Sequence, residues 1–301
     1  MRQRRGLTLA DSGLKLVFSN TPFPEALLNS EFPARPRYHL MAQGSGPPIL
    51  FLHGNPDSSE LWRDVIGRMN DRFRCLAPDL PGFGRSPTDP DFEGSLAAMA
   101  RWVATVLDDI APGRAVHLAA HDFGAIFGMA WAITHPDRVR RIAVGGFPFF
   151  PDYRWHFWGR VWRTPILGEL SLLAMNRWLF SREMRGGGPK LDDAHIDATY
   201  RLLSPRTKRM ILRLYRATDP GHFAAWQPGL KSLLAEKPTL ILWGEKDPFV
   251  PVDYAERFEG AKVVRFPDCG HWFPAEEPGD VAQLLHEFFA DGAGQEKDGT
   301  P

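Results

Sequence analysis

Ala115–His135 reads AVHLAAHDFGAIFGMAWAITH, and its two halves carry different periodicities. AVHLAA is an apolar run of strand length, and AIFGMAWAITH starts a helix at once. Between them His121-Asp122-Phe123-Gly124 makes a tight corner. A reactive residue on a strained strand-to-helix turn needs small neighbours two positions before and after it. Ala120 and Gly124 are such neighbours, with Ala125 beyond, and Asp122 stands where a serine would be expected. Aspartate is also a preferred residue just before a helix, where its charge meets the helix dipole. Taken alone, the stretch therefore describes either a nucleophile or a helix cap.

Working outward, short apolar runs alternate with helical patterns on both sides of the corner. Pro48–His53, Phe73–Pro78 and Val139–Val144 read as further strands, Leu96–Ile110 as a helix, and Asp57 or Ser58 as the cap of another. This alternation predicts an α/β fold with a mostly parallel sheet flanked by helices on both faces. From about Gly146 to Lys237 the rhythm stops, and the chain is rich in aromatics and arginine, as in PFFPDYRWHFWGRVWR. That stretch reads as an inserted helical cap. The strands resume at Thr239–Trp243 and Lys262–Phe266, with helices near Val252–Phe258 and Asp280–Phe289. The expected organisation is a core over 1–146 and 238–291, a cap over 147–237, and a disordered polar tail over 292–301.

Composition narrows the function. A chain of 301 residues can bury a large core without staples. Lys and Arg total 36 against 36 Asp and Glu, which removes the main argument for nucleic acid or an anionic membrane as partner. Two cysteines make neither a disulfide framework nor a metal cluster. No ligand cluster or dinucleotide fingerprint appears, so neither metal nor organic cofactor is expected. No run of about 18 apolar residues is present to span a bilayer. The basic start MRQRRGLTLADSGLKL is broken by Asp11, Ser12 and Lys15, so it does not read as a secretory signal. The expectation is a cytoplasmic protein, monomeric or homodimeric, acting on a small apolar substrate and water.

Two later loops bear on the corner. TLILW runs into GEKDPFVP and KVVRF into PDCGHWFP, so Asp247 and His271 each fall just past a strand's carboxyl end. Nucleophile, acid and histidine then follow in the order such a turn implies, 125 and 24 residues apart. All three lie where ligands bind in open α/β sheets. Asp247 before Pro248 is by itself an ordinary turn residue. In this order and context, the three together favour the nucleophile over the cap.

FLHGNP (Phe51–Pro56), DLPGFGRS (Asp79–Ser86), HDFG (His121–Gly124), WGEKDPFVP (Trp243–Pro251) and GHWFP (Gly270–Pro274) carry a family resemblance. Over roughly residues 35–290 the chain resembles an α/β-hydrolase of the branch that holds epoxide hydrolases and haloalkane dehalogenases. An aspartate, with an ordinary pKa of about 3.9, is already an anion at neutral pH. It can attack carbon directly and form an ester, leaving His271, oriented by Asp247, to activate water afterwards. Such attack suits a strained epoxide or a carbon–halogen bond. The oxyanion of the water step would be met by the backbone N–H of Phe123 and, as the resemblance implies, that of Asn55.

The branch divides at the leaving group. Epoxide hydrolases use cap tyrosines, whereas dehalogenases typically use a tryptophan directly after the nucleophile with a second tryptophan or an asparagine. Phe123 has no such donor, while Asn55 sits where many dehalogenases carry their asparagine. Tyr215, in RLYRA, resembles the second cap tyrosine of epoxide hydrolases, and Tyr153 or His156 is available as the other donor. The resulting expectation is an epoxide hydrolase that forms a vicinal diol, with a haloalkane or haloacid dehalogenase as the alternative on the same triad. His53, Trp155 and Trp158 are expected to line the substrate pocket, and Arg154, Arg160 and Arg163 to be solvated.

Overall fold

Each expected apolar run forms a strand, and all of them join one sheet in a computed structural model that describes residues 37–291. In chain order the strands are β1 (Leu40–Gln43), β2 (Pro48–Leu52), β3 (Arg74–Pro78), β4 (Val116–His121), β5 (Val139–Gly145), β6 (Thr239–Gly244) and β7 (Lys262–Phe266). Their order across the sheet is β1-β3-β2-β4-β5-β6-β7. Every pairing is parallel except that of β1 with β3. β2, β4 and β6 are buried along their whole length, as strands covered on both faces must be. Leu50 pairs in register with Leu76 on one side and Leu118 on the other. The edge strand β1 was not foreseen, because LMAQ is short and only half-buried and offers no apolar run.

The helices of the core follow from local signals. After β2 the chain makes a 3₁₀ turn at Ser59–Trp62 and a short α1 (Arg63–Ile66). Ser58 caps that turn, accepting from the Glu60 N–H at 3.3 Å. The helix α2 (Leu96–Ile110) has the bounds its pattern predicts and buries Met99, Trp102, Val103, Val106 and Leu107. Ser95 caps it by accepting from the Ala98 N–H. The helix α3 (Phe123–Thr134) is apolar all round and accordingly buried.

Between β5 and β6 lie α4 (Phe157–Arg163), α5 (Leu167–Ala174), α6 (Arg177–Gly187), α7 (Asp193–Leu202), α8 (Pro205–Ala217) and α9 (Gln227–Glu236). Among the described residues this insertion contains no strand. Asn176, Asp192 and Ser204 cap α6, α7 and α8 through their side-chain oxygens. After β7 come α10 (Phe273–Glu276) and α11 (Pro278–Ala290), while the helix expected near Val252 is a 3₁₀ turn at Val252–Arg257. Among the described residues no helix is long and apolar enough to cross a membrane. The expected disordered tail, the basic N-terminal stretch and the first part of the 1–146 core lie partly or wholly outside the described residues.

Candidate active site

Asp122 takes φ 53° and ψ −128°, a backbone conformation that costs a non-glycine residue roughly 1–3 kcal/mol. Its neighbours explain how the corner closes. A Cβ on Gly124 would lie 2.3 Å from the His53 carbonyl oxygen, and one on Gly54 would lie 2.2 Å from Asp122 Oδ1. The side chain does not cap α3. Instead Oδ1 accepts from the Asn55 N–H at 2.7 Å, and the carboxylate also receives the backbone N–H of Phe123. The cap reading of the corner is thereby set aside, and the N–H groups of both expected oxyanion donors are turned to the Asp122 carboxylate.

The other oxygen faces the histidine. His271 Nε2 lies 3.5 Å from Asp122 Oδ2, and its Nδ1 lies 2.7 Å from Asp247 Oδ2. Asp247 is held in turn by the N–H groups of Phe249 (2.8 Å) and Val250 (3.0 Å) on its Oδ1. Burial pushes the Asp122 carboxyl up, but His271 outweighs this and holds it below the ordinary 3.8. Burial likewise pushes His271 down, yet Asp247 and Asp122 bring it up to about 10. The His271 imidazole thus lies buried between two carboxylates that favour its protonated form.

The loop that carries His271 is fastened by residues the sequence reading passed over. The His271 N–H donates to the Gly187 carbonyl at 2.7 Å, and its carbonyl accepts from His121 Nε2 at 2.8 Å. Burial, with the charge of His271 next, lowers His121 to about 4, so it is the neutral donor of that bond. Glu276 accepts the Gly270 N–H at 3.0 Å and the Lys190 N–H at 3.2 Å. His121 was visible within the HDFG segment. Gly187, Glu276 and Lys190 carried no signal, because they meet the loop only through tertiary packing.

Above the carboxylate lies a pocket with about 790 Å³ of empty space, its open mouth included. Trp155 and Trp158 line it as expected, as do Trp162, Met175, Met184 and Phe249. Trp155 stacks on Phe123 with ring centres 5.9 Å apart. Tyr215 packs its edge against Phe123, and its hydroxyl lies 3.2 Å from His156 Nε2 and within reach of the Asn55 side chain. Tyr153 also lines the pocket, but its hydroxyl donates to the Phe249 carbonyl at 3.0 Å.

Two expectations need correction. His53 is fully buried outside the pocket: Nδ1 bonds the Gly54 carbonyl and Nε2 accepts from the Leu80 N–H. Both ring nitrogens are committed to backbone, so His53 is a neutral strut for the oxyanion turn, not a substrate contact. Arg163 is not a solvated face either. It donates to the carbonyls of Tyr215 and Thr218 and pairs with Asp219, which fixes the end of α8 beneath Tyr215. Among the described residues no three His, Cys, Asp or Glu side chains are grouped to hold a metal ion.

Residues 47–278 match the family model described as the alpha/beta hydrolase fold. The chain is 32% identical over 270 residues to haloalkane dehalogenase 2 of Mycobacterium tuberculosis H37Rv, covering 85% of this chain and 92% of that protein. It is 47% identical over 105 residues to a haloalkane dehalogenase of Agrobacterium fabrum, covering 35% of this chain and 34% of that protein. The crystal structure of haloalkane dehalogenase DbeA from Bradyrhizobium elkani USDA94 superposes with a TM-score of 0.73 at 24% identity, covering 85% of this chain and 95% of that one. Among the described residues the sheet has seven strands and is mostly parallel, and the family model over residues 47–278 with the Mycobacterium relative over 85% of the chain places the chain in the α/β-hydrolase family as a haloalkane-dehalogenase-like member.

Proposed function

We propose that the protein hydrolyses a carbon–halogen bond in a small apolar haloalkane through a covalent ester on Asp122. The observation that carries this reading is the division of the Asp122 carboxylate, with Oδ1 held by the Asn55 N–H and Oδ2 turned to His271. Oδ2 attacks the saturated carbon, and the carbon–halogen electron pair leaves with the halide. With the Asp122 charge gone, His271 gives up its proton to solvent; the neutral imidazole, oriented by Asp247, then takes a proton from water, and the hydroxide attacks the ester carbonyl carbon. Negative charge collects on Oδ1, where the Asn55 N–H already donates and with the Phe123 N–H also turned to the carboxyl. On collapse His271 returns its proton to the departing alkoxide and then takes the proton of the new carboxyl, which restores the carboxylate, so that haloalkane and water give alcohol, halide and a proton. Helices α4–α9 serve as the cap that makes the pocket apolar and excludes bulk water. The setting this carries over from the sequence is a cytoplasmic monomer or homodimer.

The sequence ranked epoxide opening first, and one contact keeps it as a second reading. Tyr215 stays protonated because burial and Asp122 raise its hydroxyl well above 10, and it sits beside His156. That pair can donate to an epoxide oxygen. The relatives at 32% and 47% identity are dehalogenases, which is why the halide reading stands first. Intact-mass measurement on His271→Gln separates the two, since blocking the water step strands the ester. A mass gain of the alkyl group without bromine, mapped to Asp122 after exposure to a bromoalkane, supports the dehalogenase. A gain of a whole aryl epoxide with none from the bromoalkane supports the second reading, and no adduct from either returns Asp122 to doubt.

A further inference from the structure

Asp57 is a buried carboxylate used by neither the triad nor the oxyanion donors. It stands two residues after Asn55, yet its side chain crosses to the insertion. Oδ2 accepts from Trp272 Nε1 at 2.8 Å, and Oδ1 accepts from the Thr199 hydroxyl at 3.0 Å. His195 Nε2, one turn before Thr199 on α7, lies 3.1 Å from the same Oδ1, with only 12% of its side chain exposed. One carboxylate therefore joins the turn that carries the Asn55 donor, the loop that carries His271 and the helix α7.

A buried carboxylate with two neutral donors is costly to keep charged unless a cation stands beside it. The charged groups facing His195 are Asp57, Asp192 at the start of its own helix, and Asp64 of α1, all acidic. Those facing Asp57 are His195, His53 and His121, and burial holds His53 and His121 neutral. Burial pushes His195 down, but the carboxylates prevail and raise it above its ordinary 6.5. Burial pushes Asp57 up, and His195 brings it below 3.8.

We propose that protonated His195 and ionised Asp57 form a buried latch that holds α7 against both catalytic loops and keeps the Asn55 donor and His271 in register for ester hydrolysis. Only the catalytic half of this inference rests on the Asp122-ester reading. Asp57 and His195 are positioning residues, since neither lines the substrate pocket. The stability due to His195 is fully present below pH 6.5 and is lost as pH rises through its raised value. That due to Asp57 is present above pH 3.8 and is lost as pH falls through its lowered value.

The test has three arms. In the first, the His195 C2–H resonance of the wild-type protein is titrated by NMR, and a midpoint above 6.5 is expected; a midpoint at or below it overturns the latch. In the second, melting temperatures of wild type, His195→Gln and Asp57→Asn are compared across pH. The wild-type advantage over His195→Gln should shrink as pH rises, and an advantage constant with pH overturns the latch. In the third, stopped-flow with a primary bromoalkane near neutral pH should show both variants slowed about tenfold in ester hydrolysis but within about twofold in ester formation. Equal slowing of both steps, or of neither, overturns the positioning role. If wild type forms no ester, the Asp122 reading fails while the first two arms still decide the latch; if a variant does not fold, the NMR titration decides it.

Discussion

At the scale of single residues, the proposed triad puts a carboxylate in place of the hydroxyl of the more familiar one, and on that reading the histidine works at a different step. Asp122 needs no base to become a nucleophile, so His271 is free to be an imidazolium in the resting enzyme. Esterification removes the charge of Asp122, one of the two carboxylates that hold His271 up to about 10. Its proton therefore leaves more readily once the ester exists, when a base is required. Single-turnover hydrolysis of the ester should rise with pH and level off below pH 10. Asp247→Asn should move that rise to lower pH, because a raising charge is lost, and lower the plateau by roughly 10²–10⁴-fold. A pH-independent rate would remove His271 as the base. Asp122→Asn, whose amide oxygen is a poor nucleophile, should lose at least about 10⁴-fold in halide release, measured by ion chromatography. The triad was legible because order and loop position are sequence properties. The roles of His53 and Asp57 were not, because a histidine past a strand or an aspartate before a helix looks the same whether it faces a pocket, a backbone group or another element.

At the scale of elements, the joint between β4 and α3 holds Asp122 in its strained conformation by close approach of backbone. A Cβ at position 124 would meet the His53 and Leu52 carbonyl oxygens at 2.3 and 2.6 Å, and these backbone atoms at the end of β2 cannot swing aside as a flexible side chain would. Gly124→Ala should destabilise the fold by roughly 1–3 kcal/mol, read as a lower urea midpoint with an unchanged slope. It should also cost activity, because the shift would displace the Asn55 turn that follows His53. An unchanged midpoint would mean the joint has slack. Sequence reading found this joint, and the bounds of α2, because each is written in local periodicity and caps. It missed β1, which exists only because β3 offers an edge to pair with, and it took for a helix the segment after Pro251, where the chain makes a 3₁₀ turn.

At the scale of the whole molecule, the insertion is fastened to the core unevenly. One side, α6–α7, is bonded to the catalytic loops through Gly187 with His271, Lys190 with Glu276, and Thr199 and His195 with Asp57. The side formed by α5 turns Leu167, Leu170 and Leu173 to the surface, at 50%, 57% and 79% exposure, and buries only Gly168 and Leu172. None of this was legible beforehand. Aromatic richness announced an insertion, but residues 57 and 195 meet only after the chain has folded. Opening free energy follows buried apolar contact and protected hydrogen bonds, so the two sides should differ in how readily they open. Hydrogen exchange followed by mass spectrometry should show amides of α5 exchanging well ahead of those in α7, with the peptide around Gly187–Lys190 among the slowest in the insertion. If α5 opens while α6–α7 stays bonded, substrate can enter over α5 without disturbing the register of His271. Equal exchange across the insertion would instead mean that it opens as one body, and each opening would then break the His271–Gly187 bond and interrupt the water step.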